Sequence, residues 1–80
     1  VLSLILSVLL AGVPQAQSAA VLLNRAYEQL RSKQYDDAVA SFRQALALDP
    51  SQVQAYKDLA YTLQKMGETD QAVEAFEAYH

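Results

Sequence analysis

From residue 19 onward, small and apolar side chains recur at spacings of three and four, the period of an α-helix with one buried face. Ala38, Phe42, Ala45 and Leu46 follow at steps of four, three and one. Asp36 and Asp37 lie in the first turn of that stretch, where negative charge suits the helix dipole. Asp49 stands before Pro50, which disfavours helical geometry at Asp49 and closes the element. Ser51 with Gln54 three residues on reads as a capping box for the next helix. That helix carries Tyr56, Leu59, Ala60 and Leu63 on one stripe, and Gly67 supplies a left-handed stop. Ala72, Val73 and Phe76 then repeat the earlier pattern. The predicted elements are helices over 20–32, 36–48, 52–65 and 69–79. Links of only a few residues make neighbouring helices antiparallel. The fold class is all-α.

The first part of the chain follows another rule. Residues 1–13 read VLSLILSVLLAGV, apolar but for two Ser and one Gly. As a helix this run reaches about 20 Å, whereas a bilayer core takes about 20 residues. Its length fits the apolar core of a secretory signal peptide. Pro14 breaks a helix, and Ala16 and Ser18 place small side chains three and one positions before a cleavage point at Ala19. The expectation is a signal peptide over 1–18, truncated at its N-terminus. A membrane anchor and a buried apolar helix of the scaffold are the alternatives.

A shift of 34 residues lays Ala26 on Ala60, Tyr27 on Tyr61, Asp36 on Asp70, Ala38 on Ala72, Val39 on Val73 and Phe42 on Phe76. Small residues recur where helices must approach closely, and aromatics recur where a gap must be filled. With these residues in register the chain resembles the tetratricopeptide repeat, a 34-residue helix-turn-helix unit. The positions carrying the resemblance are Ala26, Ala38, Phe42, Ala45 and Pro50 in the first unit. In the second they are Tyr56, Leu59, Ala60, Leu63, Gly67, Ala72 and Phe76. The resemblance implies antiparallel helix pairs of an α-solenoid, about two repeats, and the apolar run before them is expected to be helical. The first unit spans 19–52, and the second spans 53–80 and is incomplete at its C-terminus. Arg25 stands at a usual Leu, Lys33 at the usual Gly of the turn, Gln29 at a common apolar position and Tyr79 at a small-residue position.

Charge narrows the partners. The six basic and nine acidic residues all lie at or after Arg25, and the net charge is −3. The basic residues are scattered, whereas nucleic-acid binding needs them clustered against phosphates, so nucleic acid is not expected as a partner. The chain has no Cys and only one His, His80 at its end, so neither a thiolate metal site nor a two-His site can form. Two Gly, both outside any phosphate-loop spacing, leave no cradle for a nucleotide. Asp36 with Asp37 reads as a helix start, and Glu74 with Glu77 as a solvated surface. No catalytic residue, metal, cofactor or small-molecule substrate is expected, and the chain is not read as an enzyme.

The resemblance implies a protein-protein interaction scaffold that takes a protein or peptide in its concave groove. The groove positions it implies are Leu23, Asn24, Tyr27, Gln54, Lys57, Asp58, Tyr61, Gln64 and Lys65. Tyr27 and Tyr61 divide between ligand contact and packing between helices; Tyr35 and Tyr56 match packing positions. Some members of the family hold an acidic chain terminus in a clamp of Lys, Asn and Arg. Leu23, Tyr27 and Asp58 do not match that clamp, so an extended or helical segment is expected instead. With the leading run, the expected location is exported, periplasmic or envelope-associated, and membrane contact is confined to the N-terminal segment. Two alternatives are a spacer or oligomerisation stretch of a larger envelope protein, such as one exporting a polysaccharide, and an accessory domain of an enzyme. A homo-oligomer through exposed terminal helices is a further expectation.

Overall fold

The computed structural model describes residues 18–79. The leading apolar run and His80 lie outside the described residues, as does the signal-peptide or anchor reading apart from Ser18. All regular structure among the described residues is helical. The helices are α1 (Ala19–Arg31), α2 (Tyr35–Leu48), α3 (Val53–Lys65) and α4 (Thr69–Tyr79). They form two hairpins, α1 on α2 and α3 on α4, joined by packing of α2 on α3. No described helix is long and apolar enough to cross a membrane.

Local chemistry sets each boundary. Ser18 caps α1, its Oγ accepting from the Val21 amide at 3.3 Å, and Arg31 lies in the last turn, where positive charge suits the dipole. The turn after α1 closes with two bonds, from the Gln34 amide to the Gln29 carbonyl at 2.8 Å and from the Lys33 amide to the Leu30 carbonyl at 3.0 Å. The turn after α3 repeats both bonds, from Glu68 to Leu63 at 2.9 Å and from Gly67 to Gln64 at 3.0 Å. This double bond pattern requires a left-handed residue just past the helix. Gly67 supplies it at φ 79°, and Lys33 adopts it at φ 62°. A side chain in that conformation costs about 1–2 kcal/mol. The backbone bonds therefore impose the same turn on Lys33 that Gly67 adopts freely.

The link between the hairpins departs from the expected capping box. Gln52, not Ser51, is the N-cap of α3, and it makes no side-chain capping bond. Asp49 organises this link instead. Its carboxylate accepts from the Ser51 amide at 3.1 Å, from the Ser51 hydroxyl and from Gln52 Nε2 at 2.9 Å. These bonds hold the carboxyl below the usual carboxylate range, the Ser51 hydroxyl contributing most. A charged acceptor two residues before Ser51 takes its amide, the donor that the Gln54 side chain would accept from in a capping box, and its hydroxyl as well. Pro50, exposed, follows the end of α2 at once.

The core is one continuous cluster. Ala26, Ala38, Phe42, Ala45 and Ala60 are fully buried, and Leu59, Leu63 and Ala72 nearly so. Alanine at these points allows two helix backbones to approach, and the Phe42 ring fills the space that remains. Ser41 and Thr62 are buried polar residues, each partnered. Ser41 Oγ donates to Gln29 Oε1 of α1 at 2.7 Å, and Thr62 Oγ1 donates to the Asp58 carbonyl at 2.8 Å. Gln29, a polar residue at a position read as apolar, thus ties α1 to α2. Arg43 Nη2 donates to Gln71 Oε1 at 2.6 Å and ties α2 to α4.

Candidate functional site

The first helices of the two hairpins, α1 and α3, carry all nine groove positions. On α3 these are Gln54, Lys57, Asp58, Tyr61, Gln64 and Lys65, at steps of three, one, three, three and one, which lie along one helical face. Gln54, Gln64 and Lys65 are exposed, and Lys57 and Asp58 are half-buried. On α1, Asn24 is exposed, Leu23 is half-buried against the core, and Tyr27 is half-buried. The two helix faces meet at one bond, in which the Tyr27 hydroxyl donates to Asp58 Oδ2.

The two tyrosines share a register and a ring geometry. Tyr27 meets Phe42 edge to face, with centroids 5.2 Å apart and planes at 82°. Tyr61 meets Phe76 in the same way at 5.5 Å and 86°. Such contacts add about 0.5–1.5 kcal/mol beyond burial. They differ at the hydroxyl end. Asp58 engages the Tyr27 hydroxyl, so Tyr27 is a packing residue that joins α1 to α3. Tyr61 is 49% exposed. Burial pushes the Tyr27 hydroxyl well above the ordinary tyrosine range, and the bond and negative charge of Asp58 push it further. Like an ordinary tyrosine, it is a protonated donor throughout the neutral range.

The site this makes has a fixed aromatic ring at Tyr61, framed by Lys57 and Lys65 and by the amides of Gln54 and Gln64. It contains hydrogen-bond donors and one charge-engaged carboxylate. It has no nucleophile paired with a base. Among the described residues, no group of three or more His, Cys, Asp and Glu could hold a metal ion. A depression of about 610 Å³ lies elsewhere, beside the turns that end α1 and α3. Its walls include Lys33, Tyr35, Asp36, Asp37, Met66 and Glu68. It is a gap between two successive turns and shares no residue with the α1–α3 face.

Sequence reasoning placed Tyr27 and Asp58 separately on the groove and missed the bond between them. The two are 31 positions apart, one repeat less one helical turn. That offset is what a side chain reaching sideways from one first helix to the next requires, and it is the signal that was available.

Residues 29–79, more than half of the chain, match a family model described as tetratricopeptide repeat. No curated protein matches the chain.

Proposed function

The chain belongs to the tetratricopeptide-repeat family, and from that premise we propose that its α1–α3 face holds a segment of a partner protein. Repeats of this family are protein-protein interaction modules, typically without catalysis. The observation that carries the finer reading is Tyr61. Its ring is held edge-on by Phe76, yet it is half exposed at the middle of a face flanked by Lys57 and Lys65. A ring already fixed by packing loses little entropy on binding, and tyrosine offers both area and a hydroxyl. Anchors of this kind dominate interface energies. The flanking lysines favour a segment with acidic or carbonyl-rich chemistry. Asp58, spent on Tyr27, does not supply the amide of a terminal-carboxylate clamp.

Selection of peptides from a displayed library against the parent chain tests this. Tyr61→Ala and Lys57→Glu are each expected to weaken the selected peptides by about tenfold or more, in line with an interface anchor, while helicity is unchanged. Equal binding by both variants would remove the groove reading.

The composition of residues 1–18 supports work outside the cytoplasm: an apolar run, then a proline, then small side chains before Ala19. In this reading exported material has the mass of a chain beginning at Ala19; an intact leader on exported material would overturn it. Cleavage there removes the Ser18 cap of α1, worth about 1 kcal/mol, so the matured first helix would start less firmly.

A further inference from the structure

Scattered along the sequence, the charges are sorted by the fold. The first helices of the two hairpins, α1 and α3, carry Arg25, Arg31, Lys57 and Lys65 against Glu28 and Asp58. The second helices, α2 and α4, carry Asp36, Asp37, Asp70, Glu74 and Glu77 against Arg43. Lys57 and Lys65 stand one turn before and one turn after Tyr61, on its stripe of α3. Arg31 is in the last turn of α1, as Lys65 is in the last turn of α3. Tyr27, one turn before Arg31, reaches Asp58, so the end of α1 lies alongside the second half of α3.

These three cations are uncommitted: among the described residues Arg31, Lys57 and Lys65 have no ion pair or hydrogen-bonded side-chain partner. The carboxylate on the face, Asp58, is engaged by the Tyr27 hydroxyl. Glu28 is exposed at the register where α3 buries Thr62, on the side of α1 turned from α3. A chain of net charge −3 thus presents three cations against one carboxylate here. The helix dipoles account for Arg31 and Lys65, each at a C-terminal end. They do not account for Lys57, nearer the N-terminal end of α3, nor for an exposed ring midway between two lysines.

Spacing selects the occupant. Lys57 and Lys65 are eight residues apart, about 12 Å at the helical rise. In an extended chain residues i, i+2 and i+4 point to one side and span about 13 Å. An acidic side chain at each end and an apolar one between them then meet Lys57, Tyr61 and Lys65 together. A single terminal carboxylate reaches only one of the lysines.

On the groove reading above, which this deepens, we infer that the α1–α3 face binds an extended segment of a partner protein with acidic residues four apart and an apolar residue midway. The apolar side chain lies on Tyr61, one carboxylate meets Lys57, and the other lies between Lys65 and Arg31. Arg31 is thereby a binding residue outside the nine groove positions.

The probe is a fluorescent peptide, Gly-Glu-Thr-Val-Thr-Glu-Gly with both ends blocked, titrated with the full chain and read by anisotropy. Its isomer Gly-Thr-Glu-Val-Glu-Thr-Gly has the same composition and charge, but its acids fall on the side away from Val. Saturable binding of the first is expected, with the isomer weaker by about fivefold or more. Lys65→Glu should weaken the first about tenfold and Arg31→Glu severalfold, both with helicity unchanged. Arg25→Glu, on the other side of α1, should change it by less than about twofold. Absence of saturable binding, equal binding of the two isomers, or indifference to both the Lys65 and the Arg31 variants overturns the inference. So does an oligomer in sedimentation that Lys65→Glu dissolves, since the acidic second helices of another copy would then hold the face. Library peptides that need Tyr61 yet carry no spaced acidic pair overturn this inference and leave the groove reading standing. Library peptides indifferent to both Tyr61→Ala and Lys57→Glu remove the groove itself, so the two readings fail separately.

Discussion

Phe42→Ala is expected to leave the chain largely unfolded at room temperature. The ring is fully buried, sits among the alanines that separate α1, α2 and α3, and takes the edge of Tyr27. Truncating a buried phenylalanine costs about 3–5 kcal/mol, part transfer and part cavity. A folded unit of some sixty residues holds only about 3–9 kcal/mol in all. The loss is therefore comparable with the whole. Urea titration followed by far-ultraviolet circular dichroism should show little or no folded baseline. Phe76→Ala should do clearly less, because that ring is half-buried at the outer side of the stack. Equal losses from the two would mean that the hairpins are not ordered as inner and outer.

The second large effect comes from adding volume instead of removing it. Ala38 and Ala72 are 0% and 1% exposed, one repeat apart, where the second helix of each hairpin crosses the first. Leucine there has no room without spreading two backbones. Overpacking of this kind costs about 1–3 kcal/mol per site. The sites lie in different hairpins, so their costs should nearly add. The double variant Ala38→Leu with Ala72→Leu is expected to lose about 2–6 kcal/mol by those figures. Ala40→Leu, at an exposed position of the same helix, should be near neutral. A double variant with the parent's urea midpoint would contradict close helix crossing.

Helix existence was legible because the buried stripe is dense. Ala38, Phe42, Ala45 and Leu46 all read as one face and all are buried. The boundaries came within one residue, 69–79 matching α4 as it stands. The capping box at Ser51 did not form, since the charged Asp49 carboxylate takes the Ser51 amide that the Gln54 side chain would accept from. Periodicity does not weigh such competitors. The turn at Lys33 was legible as a departure from glycine, but its left-handed φ follows from backbone bonds that only the folded hairpin makes.

The site was legible in position and not in role. Tyr27 and Tyr61 occupy one register, and nothing local separates them. What separates them is whether another first helix follows alongside. Asp58 of α3 takes the hydroxyl of Tyr27, and Tyr61 has its ring contact to Phe76 and half its surface open. A repeat sequence describes one unit well; it describes poorly which units have neighbours.

A double-mutant cycle across the Tyr27–Asp58 bond tests most directly that the two hairpins stack with their first helices side by side. Tyr27→Phe keeps the ring on Phe42 and removes the donor, and Asp58→Ala removes the acceptor. Their urea stabilities, singly and together, should show a coupling of about 1–2 kcal/mol, as for a partly buried bond to a charged group. Strictly additive losses would mean that α1 and α3 do not meet there, and the shared face would have no basis.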